Sequence, residues 1–162
     1  MSAAELIETS LQAQGLEYER ISAGTFVVAL PGEKRLKTAC WLTLGAHALE
    51  IEAFVMRKPD ENHEHVYAFL LQRNVRMYAV SWAIDSAGDV YLAGRLPLSA
   101  VSAEELDRVL GCVLEYADGT FNTLLELGFG SSIRREWAWR VKRGESLANL
   151  QAFADFAQRP LE

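Results

Sequence analysis

Between residues 36 and 58 apolar and polar side chains alternate, with Leu36, Thr38, Cys40, Leu42 and Leu44 on one face and Leu49, Ile51, Ala53 and Val55 on one face of the segment that returns. Side chains on a strand point to opposite faces with a period of two, so this alternation predicts two strands that are each covered on one side. A two-residue turn at Gly45-Ala46 sets Leu42 opposite Leu49, Cys40 opposite Ile51, Thr38 opposite Ala53 and Leu36 opposite Val55. In that register the apolar sets share a face, and a one-residue slip would separate them. Residues 78–97 repeat the design. Closing them with a loop at residues 86–88, where Gly88 supplies a positive φ, sets Ile84 against Val90, Trp82 against Leu92, Val80 against Gly94 and Tyr78 against Leu96. Two such hairpins predict an antiparallel sheet with one covered face.

The remaining pattern is mostly helical. Ala4, Leu6, Ile7 and Leu11 recur at helical spacing over residues 3–14 and the run stops at Gly15; residues 16–32 read as one or two short strands. Asp60 or Asn62 is the expected N-cap of a helix to about Asn74, with Val66, Phe69 and Leu70 as its buried stripe. Ser102 and Glu105 form a capping box at the start of the longest helix, whose stripe runs from Leu106 through Val113 to Leu125 and ends at Gly128. Asp118-Gly119 is a candidate kink within it, and Ser131 or Ser132 is expected to cap a further helix that breaks at Gly144. The order predicts an α+β fold, an antiparallel sheet of five to six strands packed against helices. Residues 1–130 form the domain and residues 131–162 a helical C-terminal extension.

Composition narrows the chemistry. The 162 residues are 50% hydrophobic and 23% charged, enough for one globular core without disulfides or metal. A net charge of -6 argues against general nucleic-acid binding, which needs clustered positive charge. The N-terminus lacks the basic start and apolar run of a signal peptide, and no segment reaches a membrane span, so a cytoplasmic protein is expected. Cys40 and Cys112 show no metal or redox spacing and read as buried thiols. His63 and His65 lie two apart at a helix start, about 200° around the axis, so they cannot share one ion. They read as exposed residues on a polar helix start. No nucleophile elbow, phosphate loop or metal cluster is present in the sequence, and no catalytic residue, metal or cofactor is expected.

Two features rise above this background. Trp41, Phe54 and Met56 fall on the nominally wet side of the long hairpin with Lys37, Glu50 and Glu52, so they need cover from this chain or from another. They are the candidate protein-binding residues. The second feature is residues 133–143, where Arg134, Arg135, Arg140, Lys142 and Arg143 stand against Glu136 alone, a net +4 that leaves -10 for the rest of the chain. This is a candidate patch for an anion or an acidic partner; the alternative is a tail helix whose Ile133, Trp137 and Val141 pack on the core while the cations stay wet.

The order of elements, together with "WLTLGAHALEIEAFVMRKPDENHEHVYAFLLQRN", "VSWAIDSAGDVYLAGRLPL" and "FNTLLELGF", resembles the bacterial YbjN family of sensory transduction regulators over about residues 3–130. The resemblance implies a fold like that of type III secretion chaperones, often dimeric. It implies a non-enzymatic role as a chaperone-like module or regulatory adaptor that binds protein and forms a homodimer. A small-ligand sensor or weak enzyme with a pocket between sheet and helices is the alternative.

Overall fold

A computed structural model describes residues 1–159. Helix α1 (Ala3–Ala13) begins with a reciprocal pair of bonds between Ser2 and Glu5 that satisfies two of its free amides, and Gly15 turns the chain out at φ +68°. Strands β1 (Glu17–Ser22) and β2 (Thr25–Pro31) follow as a hairpin, then β3 (Lys37–Leu44), β4 (Ala48–Met56), α2 (His63–Asn74), β5 (Val80–Ile84) and β6 (Val90–Pro97). The sheet has the order β1-β2-β3-β4-β6-β5 and all its neighbours are antiparallel.

The second hairpin has the register that alternation predicts, with Val80 opposite Gly94, Trp82 opposite Leu92 and Ile84 opposite Val90. Tyr78 is not opposite Leu96, because Ala79 at φ +66° breaks the strand before it. The first hairpin is displaced by two residues. Leu42 faces Ile51 and Cys40 faces Ala53, while the Gly45 amide donates to the Ala48 carbonyl at 2.8 Å to close a longer turn. An even displacement leaves each side chain on its own face, so the core is the one expected. Leu36 is the exception: it precedes β3 and is exposed.

Phe26, Val28, Cys40, Leu42, Ile51 and Leu92 line the inner face of the sheet and join Ile7, Leu11, Val66 and Leu70 of α1 and α2 in one core. Leu106, Val109, Val113, Ala117 and Leu124 complete it from helix α3 (Ala103–Arg143). This helix departs from expectation, for it does not stop at Gly128. It runs for 41 residues and carries one non-helical residue, Phe129, at φ -135° and ψ 20°. Asp118-Gly119 leaves it unbroken, because the Asp118 carboxylate instead accepts the backbone amides of Lys34 and Arg35, both at 2.9 Å. Ser102 caps the helix, but the Glu105 carboxylate turns to the Tyr78 hydroxyl and Arg108 and does not complete the box. After Gly144 at φ +69°, a 3₁₀ turn (Ala148–Phe153) and α4 (Ala154–Gln158) return against α3 and bury Phe153. Residues 160–162 of the expected extension lie outside the described residues.

Candidate protein-binding site

The helices pack on the inner face of the sheet and leave the outer face open. There Trp41 stands between Val27 of β2 and Glu52 of β4, and remains 43% exposed. Phe54, its diagonal neighbour across the strands, is 36% exposed and meets the Tyr91 ring edge-on, with centroids 5.4 Å apart. Ala39, Glu50 and Glu52 are also exposed on this face, and Glu50 lies 3.7 Å from Arg95. Met56 does not belong to it. The ladder between β4 and β6 skips from Phe54 to Met56, and this bulge turns Met56 inward until only 3% of it is exposed. Alternation cannot anticipate an inserted residue.

Met56 instead lines a cleft of about 520 Å³ between the end of β4 and α3, together with Phe54, Phe121, Leu125 and Phe129. Arg35 and Arg57 line it as well. The Arg57 guanidinium lies 4.1 Å from the centroid of the Phe129 ring and is held by Asp60 at 2.9 and 3.4 Å, an attraction that raises the Arg57 pKa and lowers that of Asp60. Residues 60–62, which follow Arg57, bond to α3 just before Phe129. The amides of Asp60 and Glu61 donate to the Gly128 carbonyl at 2.9 and 3.2 Å, and the Asn62 side-chain amide donates to the Leu127 carbonyl at 3.0 Å. Asn62 occupies the N-cap position of α2 as expected, but at φ +56° its side chain is committed to α3 and makes no cap bond.

The histidine stretch therefore serves as a clamp on the kink of α3. Glu61 accepts the Ser131 amide at 2.6 Å and the Ser131 hydroxyl at 2.7 Å, so the restarted helix is capped from outside and not by Ser131 itself. His65 is exposed as expected, whereas His63 is half-buried against Tyr67 with its Nε2 enclosed and without a partner among the described residues. Among those residues no group of three or more His, Cys, Asp or Glu is arranged to hold a metal ion. Burial pushes the Cys40 thiol up to about 12, which leaves it protonated and unreactive at neutral pH. Cys112 is only half-buried.

Four of the five tail cations have partners of their own among the described residues. Arg134 lies 4.4 Å from the centroid of the Phe156 ring, Arg140 pairs with Glu136 at 2.7 Å, and Arg143 pairs with Glu145 at 3.1 Å over the Trp139 ring. Arg135 donates to the Ser132 hydroxyl, and Lys142 is exposed. Ile133 and Trp137 are buried as a tail packing on the core requires, but Val141 is 56% exposed because the helix has by then passed the end of the core.

Sequence comparison places these features in a family. The YbjN model, described as "Putative bacterial sensory transduction regulator", matches residues 3–126. The chain belongs to the YbjN family. An uncharacterized protein of Mycobacterium leprae is 57% identical to this YbjN chain over 157 residues, covering 94% of the chain and 85% of its own length. One of Mycobacterium tuberculosis is 54% identical over 154 residues, with 92% and 84% covered. Among solved structures, the ExsC–ExsE complex matches with a TM-score of 0.55 at 16% identity, covering 75% of this YbjN chain and 92% of that chain. The HopA1–SchA chaperone–effector complex matches with 0.53 at 15%, covering 71% and 89%. The fold is that of type III secretion chaperones. No helix among the described residues is long and apolar enough to cross a membrane.

Proposed function

We propose that this YbjN chain is a non-enzymatic protein-binding module, a cytoplasmic chaperone-like or regulatory adaptor that holds a segment of a client on the open face of its sheet. The observation that carries the reading is the uncovered aromatic face around Trp41 and Phe54 on a sheet whose other face is fully packed. Solved chains of the same fold come from chaperone–effector and related complexes, which supports a polypeptide as the occupant. The binding unit is residues 1–130, and residues 131–162 are an extension whose described part, to residue 159, braces it. Affinity capture of tagged protein followed by mass spectrometry tests this. A near-stoichiometric client that is lost from a folded Trp41→Glu variant is the expected result, and retention of that client by the variant removes Trp41 from the site.

The module is a homodimer in this reading, joined through α2 and β5. Four of the exposed large apolar residues, Leu71, Val75, Tyr78 and Ile84, fall within α2, β5 and the turn between them. Tyr67, Leu71, Trp82 and Ile84 line an apolar groove of about 250 Å³ there. The opposite edge strand, β1, carries Glu17, Glu19 and Arg20, the charges with which sheet edges repel a further strand.

A further inference from the structure

Among the described residues Arg35 is a cation without an anion. The Asp118 carboxylate holds the backbone of its loop, and the guanidinium then reaches over the cleft to lie 5.8 Å from the centroid of the Phe54 ring and 5.5 Å from that of Phe121. Its bonds go to the Lys37 carbonyl at 2.9 Å and the Thr38 hydroxyl at 3.3 Å, both from Nη1, and no carboxylate pairs with it among the described residues. Arg57 across the cleft is already neutralised by Asp60. A half-buried guanidinium set near two aromatic rings is partly stripped of water, and it recovers that loss best through a charge-assisted bond to a carboxylate. Below it the lining is apolar, with Met56, Leu125 and Phe129. Recognition therefore calls for an apolar group beside one negative charge.

We propose that the cleft between β4 and α3 receives a peptide segment of the client in which an apolar side chain enters beside Met56 and Phe129 while an adjacent acidic side chain pairs with Arg35. Phe54 belongs both to the cleft and to the open face, so a chain crossing the sheet past Trp41 reaches the cleft without a break. The inference rests on the protein-binding reading above and adds to it a sequence preference, apolar followed or preceded by acidic. It also gives the single unpaired cation in the lining a role that packing alone leaves unexplained.

The test uses full-length ¹⁵N-labelled protein titrated with two capped tetrapeptides, Ac-Ser-Leu-Glu-Ser-NH₂ and its Leu-Gln counterpart. The expected result is that amides of residues 54–57 and 121–132 shift with the Leu-Glu peptide, and that affinity drops about tenfold for Leu-Gln and by a similar factor for the Arg35→Gln variant. Arg35→Lys retains the charge but not the planar fork that pairs with a carboxylate, and falls between. Equal affinities for the two peptides, or shifts confined to Trp41 and Tyr91, overturn the cleft assignment and leave the sheet-face reading standing. Native mass spectrometry of the purified protein supplies the second arm: a small anionic metabolite that blocks the peptide shifts overturns the peptide as occupant.

Discussion

Glu61 illustrates how one side chain decides where a helix can bend. The bend at Phe129 costs α3 part of its ladder, and the carboxylate that accepts Ser131 N and Oγ restores a partner to the restarted helix. Those two bonds, with Arg135 nearby, hold the Glu61 carboxyl below its ordinary value. A depressed carboxyl stabilises the fold above its unfolded value and loses that contribution as pH falls through the folded one. Glu61→Ala should therefore cost about 1 kcal/mol at pH 7, the usual scale of a cap, and the gap from the native protein should close as pH drops below about 4.3. Urea denaturation at several pH values measures it, and a gap that is constant with pH assigns Glu61 a role other than capping. The two glycines beside the bend act differently. A Cβ on Gly128 lies 2.8 Å from Pro59 Cβ and one on Gly130 lies 2.9 Å from the tip of the Phe156 ring, while neither residue has a positive φ. In an ordinary helix interior Gly→Ala gains about 1 kcal/mol, yet at Gly128 the clash with a proline ring reverses the sign, and Gly128→Ala should destabilise by about 1–3 kcal/mol in the same denaturation experiment. From sequence Gly128 reads as a helix stop; close approach of another element is a tertiary fact that leaves the same mark.

At the scale of elements, periodicity carries far and then fails for definable reasons. Alternation established which face of β3 and β4 is buried but only fixes register modulo two, which is why the hairpin could be displaced by two residues with its core intact. The bulge after Phe54 lies beyond any periodic rule, and with it went Met56 from the open face to the cleft. The helix that was expected to kink at Asp118-Gly119 stays straight there because the aspartate serves the β2–β3 loop. Burial pushes this carboxyl up, but the amides of residues 33–35 outweigh it and hold the group below its ordinary value. Asp118→Ala should release that loop, costing about 1 kcal/mol and speeding hydrogen exchange of the Lys34 and Arg35 amides, with the rest of α3 unaffected. Exchange that accelerates along the whole of α3 instead makes Asp118 part of the helix's own stability. The candidate site was thus half legible: Trp41 and Phe54 from alternation, Arg35 not at all, since its place depends on a tether 83 residues away in sequence.

For the whole molecule the proposed function assigns two exposed surfaces, one to join copies and one to hold a client. The β5 edge is apolar in sequence and looks ready to extend the sheet into a second copy, but Asn74 prevents this. Its side-chain amide accepts the Trp82 N–H at 2.7 Å and donates to the Trp82 carbonyl at 3.2 Å, so the outward backbone groups at the centre of the edge are already paired. In the proposed dimer the contact then runs through side chains, Leu71 of α2 and Ile84 of β5, and not through added strand pairing. Removing the cap should convert an orderly dimer edge into an open one: Asn74→Ala is expected to leave two edge groups free and to promote larger assemblies. A Leu71→Asp, Ile84→Asp variant should instead sediment as a folded monomer in analytical ultracentrifugation. Because Trp41 and Phe54 lie on the open face and not at this groove, that monomer should still retain the client, whereas Trp41→Glu should lose the client and remain dimeric. A variant pair in which both properties fall together would mean that the client is held between two copies, and that the open face and the α2–β5 groove form one site.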